Sequence, residues 1–553
     1  MGTRRSRPSG REDPLDASMN RYRPSFRPVP GRGGLAGILL TMGAGLTLAA
    51  WLYASPPGSS PDDGFHLGSI WCAGGFHPDR CVEAFGAADP DVAIAPAVLG
   101  ELPCVGGDGR RPATCVNGLF ESLDGQFRPI PANMTGTRAA VYYRTANLLV
   151  SEDHASAIAR IRVMNAALAL LVVGLTAAVA AADVRRAVIV SWLVASVPLG
   201  LFLLTSLNST SWGLIGLGTL WANTITTLRP GTAWRRTLAG VLALLGATMA
   251  LGARTEAGAH IAVIVLALTA LALSDAAPRF NSVRRLRERP LVVLLGALAA
   301  LATATTIIRV SAIGYLTGAL SGFSSGWERL VARGISNPVL TLAAETPQLW
   351  TGSLGTWGLG WLDTAMPSAV SVPLTTSFIM LAAFGLVGAS CGRGIAAGVV
   401  LTGMLALPVT SLLSVGLVVQ EQLQARHYLP LLYVLMGIAL VRSREQGPLV
   451  LSRGTRLTIA AALSIGHSVA LTININRYTR GLTEFLYIDT NREIAWWWGG
   501  WAPSPDTVWA VGSFAFSVAA FAALRLFRAP AASDEAAESA TRAPEQGARD
   551  AGV

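Results

Sequence analysis

The chain has 553 residues, of which 52% are hydrophobic and only 14% carry a charge. Soluble globular proteins carry about 25% charged residues, so this composition excludes an ordinary soluble protein. The net charge of +10 comes from arginine alone, because the sequence contains no lysine; Schiff-base chemistry and lysine-dependent phosphate loops are therefore excluded. The arginines cluster between apolar runs, which indicates membrane topology and contact with membrane lipids rather than nucleic acid.

Apolar runs of about 17 to 25 residues are long enough to cross a bilayer, and they predict about twelve transmembrane helices. The runs lie at 34–54, 163–182, 187–207, 212–228, 237–252, 258–274, 291–312, 371–390, 395–417, 429–442, 457–475 and 507–527. The fold class that this pattern predicts is an all-α polytopic membrane protein.

Arginine positions between the apolar runs predict the orientation of the chain. Eight arginines precede the first span, and later ones follow in alternate loops, as at Arg185 and Arg284. Because cytoplasmic loops carry an excess of basic residues, both termini are expected in the cytoplasm, on the inner side of the plasma membrane. The tails 1–33 and 528–553 lack apolar periodicity and are expected to be disordered, which leaves 34–527 as the membrane domain.

Three segments between spans are long enough to build a site on the outer side: 55–160, 313–370 and 476–506. The first is predicted to be a small extracytoplasmic domain. It ends in an alternation of apolar and polar residues from Arg138 to Arg162, which predicts a helix lying along the membrane interface.

Four of the five cysteines fall in the first outer segment: Cys72, Cys81, Cys104 and Cys115. Free thiols are uncommon in oxidising compartments, so two disulfides are expected. Sequential pairing is the simplest of the three possible connectivities. A zinc site is the alternative, but the cysteines lack the Cys-x-x-Cys spacing that would support it.

Asp62, Asp63 and His66 follow the end of the first span within a few residues. Charges are costly near a bilayer and often mark a functional site. A carboxylate placed here could act as the base that takes a proton from an acceptor hydroxyl. The two carboxylates could instead hold a divalent cation such as Mg, Mn or Ca. A solvated acidic turn is the simplest alternative.

Further polar residues interrupt the apolar runs on the same predicted side. Arg426 could bind a phosphate through its fork of donors, or it could anchor the chain at the interface. Asp363 could bind sugar hydroxyls beside the ring of Trp361, or it could belong to a loop turn. The predicted substrate-binding residues are Asn208, Trp361, Asp363, Gln424, Arg426, His427 and Tyr428.

Four short motifs resemble those of a large bacterial family of predicted membrane proteins of unknown function, common in actinobacteria. The motifs here are Pro61-Asp62-Asp63-x-x-His66, Ser206-x-Asn208, Gly360-Trp361-Leu362-Asp363 and Gln424-x-Arg426-x-x-x-Pro430. The chain departs from the usual residues of these motifs at Asp63, Gly64, Ser209, Ala425 and His427. That family is similar to the GT-C superfamily of glycosyltransferases that use polyprenyl-phosphate sugars, and the resemblance covers most of 34–527.

The resemblance implies a GT-C-like fold with an acidic residue of the first outer loop at the reaction centre. We therefore expect an inverting glycosyltransferase that moves a sugar from a polyprenyl phosphate to an envelope glycan, glycolipid or protein outside the cell. Asp62 or Asp63 would act as the base, Arg426 would hold the donor phosphate, and His66, Trp361 and Asp363 would shape the sugar pocket. The alternatives are a transporter or flippase for a lipid-linked sugar and a non-catalytic partner of envelope assembly.

Overall fold

The computed structural model describes residues 32–86, 88–136, 139–276, 313–419, 421, 423–442, 446–482, 489–491, 496–498 and 502–528. The predicted span 291–312 and nearly all of the two predicted tails, 1–33 and 528–553, lie outside these residues. The outer segments 55–160 and 313–370 are described almost completely, whereas 476–506 is described only in part.

The described chain is mostly helical. The helices before the gap at 277–312 are α1 Arg32–Ala54, α2 Asp63–Cys72, α3 Ala97–Glu101, α4 Leu119–Ser122, α5 Ala140–Asn147, α6 His154–Val179, α7 Ala182–Ala195, α8 Leu199–Leu204, α9 Thr210–Leu228, α10 Ala233–Leu251 and α11 Ala257–Ala276. Those after it are α12 Ile313–Ala332, α13 Pro338–Glu345, α14 Pro347–Thr351, α15 Ser368–Leu386, α16 Cys391–Val415, α17 Leu429–Leu440, α18 Arg453–Thr479 and α19 Pro505–Leu524.

Six helices of the described residues are long and apolar enough to cross a membrane: Gly34–Ala54, His154–Val179, Ser368–Leu386, Cys391–Val415, Arg453–Thr479 and Pro505–Phe527. Two shorter apolar helices lie at Ala257–Leu273 and Leu429–Leu440. The protein is therefore membrane-embedded and helical. Twelve spans and a GT-C fold, as predicted from the sequence, are not confirmed.

Close crossings of small residues hold the helices together. A Cβ atom on Gly216 of α9 would lie 2.2 Å from the carbonyl oxygen of Gly246 in α10, and one on Gly43 of α1 would lie 2.8 Å from that of Ala515 in α19. Neither contact leaves room for a side chain. Small residues let helix backbones approach closely in a membrane, where the hydrophobic effect does little to join them.

The predicted span 187–207 is interrupted in the structure. Helix α7 ends at Ala195 and α8 begins at Leu199, with Pro198 between them. Proline cannot donate a backbone hydrogen bond, and it disfavours a helical conformation in the preceding residue. Beyond α8, the carbonyl oxygens of Thr205 and Ser206 accept hydrogen bonds from side chains of α6 instead of from a continuing helix. The interruption places Asn208 beside residues 58–63, the turn that carries Asp62 and Asp63 and is called the acidic turn below.

The predicted interfacial helix from Arg138 to Arg162 is divided between two helices. Helix α5 ends at Asn147, and α6 begins at His154 after an N-cap, Asp153. The Asp153 carboxylate accepts from the backbone N–H of Ser156 at 3.0 Å, which is the interaction that starts a helix.

The segment between α1 and α6 contains a small antiparallel sheet, which is a departure from the all-α prediction. Strands β1 (Val82–Glu83), β2 (Val92–Pro96) and β3 (Phe127–Pro131) lie in the order β1-β2-β3, and Ala93 pairs with Ile130. The sequential pairing of cysteines is supported, since two pairs lie at disulfide distance: Cys72 with Cys81 and Cys104 with Cys115.

Candidate functional site

Asp62 and Asp63 lie at the start of α2, where the backbone conformation places their two carboxylates in different environments. Asp62 is the N-cap residue and has a left-handed conformation, with φ 65°. Aspartate tolerates this conformation better than most residues with a side chain. The Asp62 side chain is 52% exposed, whereas Asp63 is buried. Of these two carboxylates, Asp62 is therefore the one accessible from the surface of the protein.

Arg426 forms an ion pair with Asp62 across 364 positions of the sequence. Its Nη2 lies 2.5 Å from Asp62 Oδ2, and its side chain is only 7% exposed. Nη1 also donates to the Pro61 carbonyl oxygen at 3.4 Å. Burial raises the pKa of Asp62, but the charge of Arg426 and its hydrogen bond outweigh that effect and hold the pKa below its usual value. Asp62 is therefore ionised at neutral pH.

A short helical turn at Ala425–His427 positions the Arg426 side chain against Asp62. The backbone N–H of Gln424 donates to His427 Nδ1 at 3.2 Å, which closes the turn. Tyr428 is buried and packs edge-on against His260, with ring centroids 5.7 Å apart. Gln424, His427 and Tyr428 flank Arg426 in this turn and help to fix its position; that they bind substrate stays a prediction.

Asp63 lies behind Asp62 and faces the protein interior. Its Oδ2 accepts from the backbone N–H of Ser60 at 3.1 Å. Burial raises the pKa of Asp63 to about 7, against the hydrogen bond from Ser60 and the positive charge of Arg162. Its protonation state therefore changes near neutral pH.

His66 lies one turn further along α2. Its Nδ1 lies 2.8 Å from the hydroxyl oxygen of Tyr143 on α5, and both residues are buried. Burial lowers the pKa of His66 to about 3, and the charges of Arg426 and Arg254 contribute to the shift. The imidazole is therefore neutral at physiological pH, where it can bind Tyr143 but carries no charge.

Asn208 supports the acidic turn from behind. Its Nδ2 donates to the Pro61 carbonyl oxygen at 3.0 Å and to Ser60 Oγ at 3.3 Å, and its Oδ1 accepts from the backbone N–H of Thr210 at 2.9 Å. Asn208 is fully buried. The structure therefore places the motif Ser206-x-Asn208 against the motif that contains Asp62. Asn208 has a positioning role there.

Trp361 contacts the other side of the same turn, and Asp363 contacts the loop near Gly107. Trp361 Nε1 donates to the Gly58 carbonyl oxygen at 3.1 Å. The Asp363 carboxylate accepts from Arg477 Nη2 at 2.8 Å and from the backbone N–H of Gly107 at 3.1 Å. The third motif thus connects the small domain between α1 and α6 to α18, and the Asp363 carboxylate is bound by protein groups.

A second arginine near the site was missed by sequence reasoning. Arg254 lies between α10 and α11, and its Nη2 lies 2.6 Å from Glu256 Oε1. Its Nη1 donates to Thr210 Oγ1 at 3.3 Å, two residues from Asn208. Its charge lowers the pKa values of both His66 and His427, in addition to the effect of burial. Two charges in the short gap between the predicted spans 237–252 and 258–274 were the signal that could have identified it.

The arrangement fits an ion pair better than a divalent cation. Asp62 Oδ2 is bound by a guanidinium, Asp63 faces the interior, and the described ranges contain no group of three or more His, Cys, Asp or Glu residues that could hold a metal. Such a cation would need several oxygen ligands at once. We derive no step through a metal at these residues.

The acidic turn therefore collects all four sequence motifs around one accessible carboxylate and one buried guanidinium. Residues 46–435 match the model of a family described as predicted membrane protein (DUF2142), which covers well over half of the chain and includes every residue of the four motifs. No curated protein and no solved structure matches the chain. The chain belongs to the DUF2142 family of predicted membrane proteins.

Proposed function

We propose that the protein is an integral membrane glycosyltransferase that takes a sugar from a polyprenyl phosphate and attaches it to a cell-envelope glycan, glycolipid or protein. The observation that carries the proposal is the Asp62–Arg426 pair, in which an accessible carboxylate is held by a buried guanidinium. A transfer of this kind needs both groups: a base for the acceptor and a cation for the departing phosphate.

In the proposed reaction, Asp62 takes the proton of an acceptor hydroxyl. The acceptor oxygen forms a bond to the anomeric carbon of the donor sugar, and the bond from that carbon to the phosphate oxygen breaks. The electron pair leaves with the polyprenyl phosphate, whose charge Arg426 stabilises through its planar fork of donors. One base and a good leaving group are sufficient for an inverting transfer.

The ion pair also supplies a reason for the base to be active only when the donor is bound. A donor phosphate would compete with Asp62 for the Arg426 guanidinium. As that guanidinium moves to the phosphate, the pKa of Asp62 would rise, because Arg426 is what holds it low.

The remaining motif residues would act by positioning. Asn208 and Trp361 hold the backbone of the acidic turn at Pro61 and Gly58, respectively. Small errors in the position of a base lower the reaction rate by large factors.

The excess of arginine near the predicted cytoplasmic ends of the spans would place this site on the extracytoplasmic side of the plasma membrane.

The test is transfer from radiolabelled polyprenyl-phosphate sugars by the purified protein in lipid, in the presence of candidate acceptors. We expect Asp62→Asn to abolish transfer while the protein still folds. Asp124→Asn is the matched control, since Asp124 is an exposed carboxylate of the same domain outside the motifs. Wild-type turnover in Asp62→Asn would remove Asp62 from the mechanism. Consumption of no donor by the folded wild-type protein would favour a non-catalytic role in envelope assembly.

One observation favours a transporter for a lipid-linked sugar as the second candidate. His467 lies midway along the spanning helix α18, is fully buried, and accepts from Trp51 Nε1 at 3.0 Å. Ionisable groups near the middle of a bilayer often serve transport. Lipid flipping that is lost in His467→Gln but retained in Asp62→Asn would favour this function over the transferase.

A further inference from the structure

A cleft opens in the small outer-segment domain, away from the acidic turn. Its volume is about 980 Å³, at the upper end of the range typical of small-ligand sites. The cleft lies between the C-terminal half of α2, residues 83–86 and 89–92 near β1 and β2, and residues 133–136 and 140–144 near β3 and α5. The residues that line it have no role in the proposed transfer reaction. From the lining described below, we infer that this cleft binds an oligosaccharide.

Two aromatic side chains on the cleft are unusually exposed. Phe85 is 86% exposed and Phe76 is 51% exposed, and both line the cleft. Aromatic rings of this kind provide a flat apolar surface that is costly to leave in water without a ligand. The apolar face of a sugar ring is a ligand of matching shape.

Charged groups surround these rings. Glu83, Asp89 and Arg144 also line the cleft, and all three are exposed. Carboxylates accept hydrogen bonds from hydroxyl groups, and a guanidinium donates them. Flat apolar rings beside several hydroxyl-binding groups favour a saccharide. An anionic lipid surface is disfavoured, because Glu83 and Asp89 would repel it.

The cleft is connected to the acidic turn through α2. Ser69 and Ala73 line the cleft, and Asp62 lies at the opposite end of the same helix. At 1.5 Å per residue, the separation along the helix is roughly 10 to 16 Å. Tyr143 also lines the cleft, and its hydroxyl is bound to His66, one turn from Asp62.

This distance between the cleft and Asp62 favours an oligosaccharide over a monosaccharide as the ligand. A ligand that fills the cleft and still reaches Asp62 must extend over that distance, which a monosaccharide cannot do. The bound oligosaccharide would be the acceptor of the transfer, an assignment that rests on the proposed function. The binding itself does not depend on catalysis and can be measured without a donor.

The experiment measures binding of neutral trisaccharides, built from hexopyranose or pentofuranose units, to the full-length protein in lipid nanodiscs by saturation-transfer NMR and calorimetry. Each trisaccharide is compared with its own monosaccharide. The variants are Phe85→Ala, Phe85→Trp and, as a matched control, Phe127→Ala. Phe127 is a partly exposed phenylalanine of the same domain that does not line the cleft.

We expect at least one trisaccharide to bind about tenfold more tightly than its monosaccharide. Phe85→Ala should weaken that binding about tenfold, whereas Phe85→Trp and Phe127→Ala should retain it. Binding to none of the trisaccharides, or binding that Phe85→Ala leaves unchanged, would overturn the inference. Binding that is confirmed while no donor is consumed would refute the transferase and leave the saccharide site standing.

Discussion

Arg477 and Asp363 form a buried ion pair, with Arg477 Nη2 2.8 Å from Asp363 Oδ2 and side chains that are 0% and 6% exposed. The same guanidinium donates to the carbonyl oxygens of Val105 and Arg111. Both of these carbonyls lie in the loop closed by Cys104 and Cys115. One arginine at the end of α18 therefore fixes the small domain to the membrane helices.

Breaking this pair should destabilise the protein strongly. Asp363→Leu leaves the Arg477 charge buried without its partner, a change that typically costs about 3–5 kcal/mol. We expect a clear fall in the thermal unfolding midpoint in detergent. Arg333→Gln is the control, because it removes an exposed pair with Glu421 and should have little effect. Equal midpoints for Asp363→Leu and the wild type would show that the pair does not stabilise the fold.

The disulfide between Cys104 and Cys115 should stabilise the loop that Arg477 binds. The two cysteines are 11 positions apart, and closing a loop of that size contributes about 3 kcal/mol by restricting the unfolded chain. The double variant Cys104→Ser, Cys115→Ser should therefore unfold at a lower temperature than the wild type. Added reductant should lower the wild-type midpoint but not that of a variant lacking all four paired cysteines. An unchanged midpoint in the double variant would contradict the prediction.

Asp62→Asn should reduce the rate of transfer without unfolding the protein. General base catalysis contributes typically about 10²- to 10⁴-fold, so we expect kcat to fall by at least about 100-fold. The amide retains the shape of the side chain but cannot take a proton. Initial rates with a labelled donor measure kcat, and circular dichroism checks that the helices remain. A change in KM with kcat unchanged would be inconsistent with a role as base.

Arg426→Lys should weaken donor binding although the charge is retained. Lysine provides a point charge instead of a planar fork, so two-point binding of a phosphate is lost. We expect KM for the donor to rise about tenfold or more, which steady-state kinetics at varied donor concentration will measure. Arg333→Lys, an exposed arginine at 44% exposure, is the matched control. Identical donor affinities in the two variants would argue against a phosphate site at Arg426.

Asp63 should make the stability depend on pH. Burial raises the pKa of Asp63 to about 7 in the folded protein, from 3.8 for an aspartate exposed to water. Between these pH values the folded state retains a proton that the unfolded state releases, so the contribution of Asp63 to stability is greatest below about pH 4 and is lost as pH rises through 7. Asp63→Asn removes this loss and should be more stable than the wild type at pH 8, by on the order of a few kcal/mol.

The comparison of unfolding midpoints at pH 5 and pH 8 tests this prediction. Burial lowers the pKa of His66 to about 3, so His66 contributes the opposite slope at lower pH, but that contribution is common to both proteins and cancels. A difference between the wild type and Asp63→Asn that stays constant with pH would contradict the prediction.

Sequence patterns identified the residues that meet at the candidate site but not their orientation. The motif at Asp62 and the motif at Arg426 could both be found, because charges are conspicuous between apolar runs. That Asp62 faces outward while Asp63 faces inward depends on one backbone conformation, which the composition of the turn does not determine. The ion pair of Asp363 with Arg477 could not be predicted, because the two residues are 114 positions apart in the sequence.

The apolar runs of the sequence predicted the positions of helices well, but they predicted the ends of those helices poorly. The first span, predicted at 34–54, corresponds to α1, because nothing interrupts its apolar sequence. The run at 187–207 is equally apolar, yet Pro198 divides it. The sheet of the small domain was missed because its strands are at most five residues long, too short for a clear alternation.

The left-handed backbone at Asp62 decides which substitutions there can be interpreted. Glycine, asparagine and aspartate adopt this conformation readily, whereas alanine would add backbone strain of about 1 kcal/mol or more. An inactive Asp62→Ala protein would therefore leave two explanations, a missing carboxylate or a displaced helix start. Asparagine removes only the charge and glycine removes the side chain, and together they separate chemistry from geometry at this one position.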